Sequence, residues 1–221
     1  MEYINMDKNQ IGIHMMKEGN WEEAAKAFME AIEAAPEDAV AYINFGNVLS
    51  AVGDPDKALR FFQRAIELGG GGSAYYSAGA LLFEKEQFDV AKNMFDLAMK
   101  DGLDNSDNYF MLGMCLLNLE QPRLALPYLQ RSIELNPNDS EAFFQYGLCF
   151  AQEQMLDMAI VQFDKCLEIE PNHADAYYNL GVAFGFKENK DKAIEMLDQA
   201  LKIQPDHLLA SYAKKLIEQG S

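Results

Sequence analysis

The sequence predicts an all-α solenoid of six helix-turn-helix repeats, closed by a C-terminal capping helix. Three observations predict it. Six glycines recur along the 221 residues, at Gly12, Gly46, Gly79, Gly113, Gly147 and Gly181, with spacings of 34, 33, 34, 34 and 34. A fixed period of this size marks a repeat array. Each glycine is followed twelve residues later by an alanine (Ala24, Ala58, Ala91, Ala125, Ala159, Ala193) and sixteen later by a large apolar residue (Phe28, Phe62, Phe95, Leu129, Phe163, Leu197). Nineteen residues after each glycine stands a small one: Ala31, Ala65, Ala98, Ser132, Cys166 and Ala200.

The units run approximately 5–38, 39–71, 72–105, 106–139, 140–173 and 174–207, as one domain over 1–221, with the capping helix at 208–219. First helices are expected at 6–18, 39–52, 73–85, 106–118, 140–152 and 174–186. Second helices are expected at 21–34, 55–68, 88–101, 122–135, 156–169 and 190–203. A glycine inside a helix costs about 1 kcal/mol relative to alanine, so the missing side chain must allow something. The expectation is close approach by the small residue of the second helix, with the large apolar residue filling the space beside the crossing. One hairpin cannot bury its own apolar face, so units must stack.

Several starts and stops can be read directly. Asp54 before Pro55 reads as an N-cap and first helical residue, and Pro122 has the same place in unit four. Gly69 to Gly72 reads either as a relaxed helix C-cap or as a hinge between units two and three. Pro127, inside a second helix, removes one backbone hydrogen bond. In 208–219, Leu209, Tyr212 and Leu216, with Ala213, are expected to cover the last core, leaving Lys214, Lys215 and Glu218 toward water.

The segment AYYNLGVAFGFKENKDKAIEMLDQALKIQPDH, Ala176 to His207, resembles the tetratricopeptide repeat (TPR) consensus. The proline that closes a unit appears as Pro36, Pro137, Pro171 and Pro205, while Gly70 and Leu103 stand nearest that place in units two and three. The resemblance covers residues 5 to 207 and implies a right-handed TPR superhelix. A narrower likeness to a small TPR protein of bacilli, in LEQPRLALPYLQRSIELN, HADAYYNLGV and IQPDHLLASYAKKL, implies a bacterial cytosolic adaptor. It also implies partners in sulfur transfer and tRNA thiolation. The chaperone-tail clamp of one TPR subclass is absent: the inner places carry Asn9, Ile13, Asn44, Ser73 and Ser77, of which only Asn44 fits.

Composition narrows the function. Hydrophobic residues make up 49% of the chain, enough for a continuous core. Net charge is −17, with 18 acids against 9 bases in residues 1–105 and 17 against 9 in the rest. No basic patch could neutralise nucleic-acid phosphates or attach to an anionic membrane. No apolar run reaches the ~18 residues of a transmembrane helix, and the N-terminus does not read as a signal peptide. Cys115, Cys149 and Cys166 read as buried apolar residues in a reducing cytoplasm.

A second apolar stripe runs along the first helices, three before, one after and four after each glycine. It comprises Tyr76, Ala80 and Phe83; Phe110, Met114 and Leu117; Phe144, Leu148 and Ala151; and Tyr178, Val182 and Gly185, with Phe186 beside the last group. These offsets share one helical face. The stripe opposite, Tyr109, Leu112 and Leu116 in unit four, already serves the packing. By resemblance to the TPR fold, the second stripe lines a concave groove; otherwise it is self-buried, by closure or by another copy. In units one and two the same face is more polar, with Asn9, Lys17, Asn47 and Ser50. Asp107, Glu141 and Asp175, six residues before their glycines, form an acidic rim or simply complement the helix dipole.

The expected function is therefore a non-catalytic adaptor that binds a protein or peptide segment, amphipathic with Lys or Arg, helical or extended. The alternative is a holdase-like chaperone. Self-association stays open; no cofactor and no metal are expected. His14, His173 and His207 lie in different units, the latter two in turns between repeats, and no nucleophile–base or phosphate-binding motif accompanies them.

Overall fold

The computed structural model describes residues 6–219. Among them are thirteen helices and no strand: α1 Lys8–Lys17, α2 Trp21–Ala34, α3 Ala39–Ala51, α4 Pro55–Glu67, α5 Gly71–Glu84, α6 Phe88–Lys100, α7 Ser106–Asn118, α8 Pro122–Leu135, α9 Ser140–Gln152, α10 Leu156–Ile169, α11 Ala174–Phe186, α12 Lys190–Ile203 and α13 Leu208–Gln219. They fall into two compact units, Met1–Asp104 with α1–α6 and Asn105–Ser221 with α7–α13. In each unit odd and even helices pair as hairpins, and each even helix packs on the next odd one.

The repeat glycine works differently from the expectation. A Cβ at Gly12, Gly79, Gly113, Gly147 or Gly181 would meet the side chain of Phe28, Phe95, Leu129, Phe163 or Leu197 at 2.9 Å or closer, and Gly46 stands in the same relation to Phe62. The glycine therefore makes room for the large residue itself, not for the small one. Phe28, Phe95, Leu129, Phe163 and Leu197 are wholly buried over that bare patch of backbone. Each contributes about 1.5–3 kcal/mol by leaving water.

The hairpin turn repeats as faithfully. Seven residues after each repeat glycine the chain enters the left-handed region, at Gly19, Gly53, Glu86, Glu120, Gln154 and Glu188. This residue reverses the chain at the end of the first helix. In unit four the Glu120 N–H donates to the Leu117 carbonyl at 3.0 Å and the Gln121 N–H to the Leu116 carbonyl at 2.8 Å. That pair of bonds satisfies two orphan carbonyls of the helix end.

Most first helices begin on a capping side chain at a matching register, eight residues before the repeat glycine. Asp38, Asn105, Asp139 and His173 each accept a backbone N–H of the following turn, and Asp7 does so for α1 from five residues before Gly12. The His207 Nδ1 accepts from the Ala210 N–H at 3.2 Å in the same way. Asp54 and Pro55 cap and open α4 as expected. Pro122 opens α8, which runs through Pro127 as one helix.

The break in this series is the glycine segment, and it is a packed junction. The Gly70 N–H donates to the Ala65 carbonyl at 2.8 Å and the Gly69 N–H to the Ile66 carbonyl at 3.0 Å, closing α4 with a glycine C-cap. Gly69 and Gly71 have φ of +76° and +67°. A Cβ on Gly70 would meet the Ala65 carbonyl at 2.8 Å, and one on Gly72 would meet Leu103 at 2.7 Å. Glycine is thus required at four consecutive positions for two alternating reasons, and α5 starts at Gly71 rather than at 73.

The C-terminal helix corrects a second expectation. Its inward face is Ala210, Ala213 and Ile217, packed with Leu197, Ala200, Tyr177 and Tyr178. Leu209, Tyr212 and Leu216 face outward and remain exposed.

Candidate partner-binding groove

In the second unit the stripe rides on α7, α9 and α11, whose opposite faces supply the core. Leu112 and Leu116 of α7, Tyr146 and Phe150 of α9, and Leu180 of α11 are buried. Across each helix, Phe110, Met114, Leu117, Leu148, Ala151, Tyr178, Val182 and Gly185 are half-buried. Phe110, Leu117, Leu148 and Ala151 rest with one side on the central cluster around Phe163 and keep the other toward water. The stripe is neither free nor closed: it is an apolar floor, set at a fixed height by the core beneath it.

Phe144 departs from this pattern. It is only 8% exposed. The Phe163 ring lies behind it at 5.8 Å and the His173 ring covers it at 4.5 Å. At the register place that His173 holds over Phe144, Phe110 has Asp139, a side chain without a ring. Phe144 is therefore core and not an exposed anchor. Phe186 is the opposite case, 76% exposed beside a depression of about 270 Å3 that Val182, Gly185 and Leu216 help to line.

The acids of the expected rim are all exposed and stand in the first turns of their helices. Each has a local contact. Asp107 accepts from the Ser106 hydroxyl at 3.2 Å, and Glu141 from the Gln145 amide at 2.7 Å. The Asp175 carboxylate lies 3.1 Å from His207 Nε2. Because His207 Nδ1 accepts from a backbone N–H, its proton sits on Nε2 and points at Asp175. Residues 106–185 carry 11 acids and 3 bases, so the floor lies in strongly negative surroundings.

The first unit has its own portion of the stripe, on α5. Tyr76, Ala80 and Phe83 are half-buried. The Tyr76 ring lies 5.4 Å from Phe95 and the Phe83 ring 5.1 Å from Phe88. A depression of about 410 Å3 beside Tyr76 and Ala80 is edged by Asn47, Ser50 and Glu84, a more polar setting, as the residue types imply.

Residues 4–69, 106–139, 140–173 and 174–207 match models described as tetratricopeptide repeat. The chain also superposes on the crystal structure of YrrB, described as a TPR protein with an unusual peptide-binding site. The TM-score is 0.81 at 54% identity, over 86% of this chain and 99% of that one. The chain belongs to the tetratricopeptide repeat family. This TPR protein is 56% identical over 39 residues to the TPR repeat-containing protein YrrB of Bacillus subtilis (strain 168), a match that spans 18% of the chain and 19% of the length of that protein. PilF of Pseudomonas aeruginosa shares the fold at a TM-score of 0.81, with 20% identity over 97% of this chain and 96% of its own.

Two features of the TPR site escape the residue pattern. His173 and His207 read as turn residues between repeats, but they cap helices and lie against Phe144 and Tyr178, at ring distances of 4.5 and 5.1 Å. The available signal is their register, one unit apart and aligned with Asp139 and Asn105. The outward face of α13 reads as core. The signal there is also register: Tyr212 and Leu216 stand 34 residues after Tyr178 and Val182.

Proposed function

We propose that this TPR protein is a non-catalytic adaptor that holds a segment of a partner protein along the apolar floor of α7, α9 and α11. The observation that carries this reading is the half-buried line of Phe110, Met114, Leu117, Leu148, Tyr178 and Val182, within a segment of 11 acids and 3 bases. An apolar floor gives affinity and the surrounding charge gives preference, so the fitting segment is amphipathic and carries Lys or Arg. Tyr76 and Phe83 offer a smaller patch of the same kind in the first unit. Similarity to YrrB, a TPR protein with a peptide-binding site, supports the reading. Partners in sulfur transfer or tRNA thiolation, suggested by that resemblance, are candidates to try first. No helix among the described residues is long and apolar enough to cross a membrane; the buried thiols fit a cytoplasmic place of action.

The test uses a fluorescent model peptide with a leucine face and a lysine face, titrated by anisotropy. Two half-exposed anchors can dominate such an interaction, so Phe110→Ala with Tyr178→Ala should weaken binding at least about tenfold. Charge reversal at Asp107, Glu141 and Asp175 should weaken it less, and mainly at low salt. A double variant that folds and binds like the parent moves the site to another face. Equal protection of unrelated unfolded clients against aggregation would favour a holdase.

A further inference from the structure

The outward face of α13 leads beyond the groove. This helix is built at the register of a first helix: His207 caps it 34 residues after His173 caps α11. Where Tyr177, Leu180, Gly181 and Phe184 of α11 serve its own hairpin, α13 carries Ser211, Lys214, Lys215 and Glu218 at the matching positions. Those polar residues present no apolar surface on which a second helix of the same kind could pack. The remaining side of α13 is apolar. Leu209, Tyr212 and Leu216 share one face by their spacing, with Leu208 beside them. Their exposures are 58%, 63%, 52% and 83%. Phe186 lies across the depression that Leu216 helps to line.

A helix side that faces water is ordinarily polar. These five side chains instead leave on the order of 600 Å2 of apolar-residue surface bare, at the upper end of what a monomer shows. Two such patches pressed together would bury on the order of 1,200 Å2, the lower limit of a specific interface.

Charge decides which occupant fits. Residues 1–185 carry 29 acids and 12 bases, whereas residues 186–221 carry six of each. A cationic segment therefore gains little at this end, and the same end of a second copy meets no net repulsion there. We infer that the exposed face of α13, with Phe186, is the contact of a two-fold symmetric dimer of this chain. In an isologous contact each patch meets itself. With α13 antiparallel to its counterpart and Tyr212 near the axis, Leu208 faces Leu216 of the partner subunit.

The test is sedimentation of the full chain over a concentration series up to about 100 µM, at a salt concentration that screens weak charge contacts. The expected species has twice the 24.9 kDa chain mass. Leu208→Lys and Tyr212→Lys should each raise the dimer dissociation constant at least about tenfold, with unchanged helical circular dichroism. Leu208 is 83% exposed, so its substitution separates loss of the contact from loss of the fold. Val161→Lys, at a 53% exposed position on α10, should stay dimeric. A monomer throughout the series overturns the inference. So does a dimer that survives both lysine variants, or one that Val161→Lys breaks equally well.

Discussion

One side chain shows how a groove residue becomes a core residue. Phe110 and Phe144 hold the same register place, but Phe144 lies between the rings of Phe163 and His173, while Phe110 stays half-buried. Phe144→Ala should therefore cost about 3–5 kcal/mol, as cavity-forming substitutions of buried aromatics do. Phe110→Ala should cost less than half of that; urea unfolding followed by circular dichroism distinguishes the two, and equal losses would place Phe110 in the core. The cysteines give a pH prediction at the same scale. Burial pushes the Cys149 and Cys166 thiols from 9.0 up to about 12. Between those values the unfolded chain releases protons that the folded chain keeps. Their stabilising contribution is complete below about pH 9 and is lost as pH rises toward 12. The urea midpoint should fall across that window, and less steeply in a Cys149→Ala, Cys166→Ala variant.

At the scale of the element, the hairpin turn is better served in the first two repeats than in the last four. Gly19 and Gly53 occupy the left-handed place in units one and two, where Glu86, Glu120, Gln154 and Glu188 must adopt φ of 57° to 59°. A Cβ at this place costs about 1–2 kcal/mol, whereas glycine costs about 0.5–1 kcal/mol in chain entropy instead. Glu120→Gly and Glu188→Gly should each stabilise the protein by about 0.5–1 kcal/mol, read as a higher urea midpoint. Gly53→Ala should move the midpoint the other way. A flat response in all three would mean that the turn residue is held by contacts outside its own backbone. The helix crossing has the opposite tolerance, because a Cβ at Gly147 would meet the Phe163 ring at 2.6 Å. Two positions seven residues apart in the same hairpin thus answer to different constraints, one to backbone sign and one to packing.

Over the whole molecule, charge has the longest reach. A net charge of −17 repels itself in the folded state more than in the expanded unfolded chain. Raising NaCl from about 0.02 to about 0.5 M should therefore increase the urea midpoint, because exposed charges are screened over distances near the Debye length. A falling midpoint would mean that the surface ion pairs, such as Lys57–Asp54 at 2.6 Å and Lys85–Asp56 at 2.8 Å, outweigh the repulsion. The charge is not uniform at finer grain: 106–185 is strongly acidic and 186–221 is neutral. The half-by-half balance conceals this. The difference suits the groove and the C-terminal face to different kinds of partner.

The sequence alone determined the repeat number, the register and every helix end to within two residues. Those features are written in the chain itself: helical periodicity, caps and a 34-residue period act among neighbours in sequence. The residue types of the groove floor were legible for the same reason. Which of them face water was decided by tertiary structure. The burial of Phe144 depends on a ring some thirty residues downstream, and the outward turn of Leu209, Tyr212 and Leu216 depends on Ala210, Ala213 and Ile217 fitting closer to α12. By spacing alone the repeat glycine matches a small partner, yet the structure places a large side chain of the opposite helix over it. Two faces of a helix can be equally apolar in sequence, and only the shape of the neighbouring helix selects which one is buried.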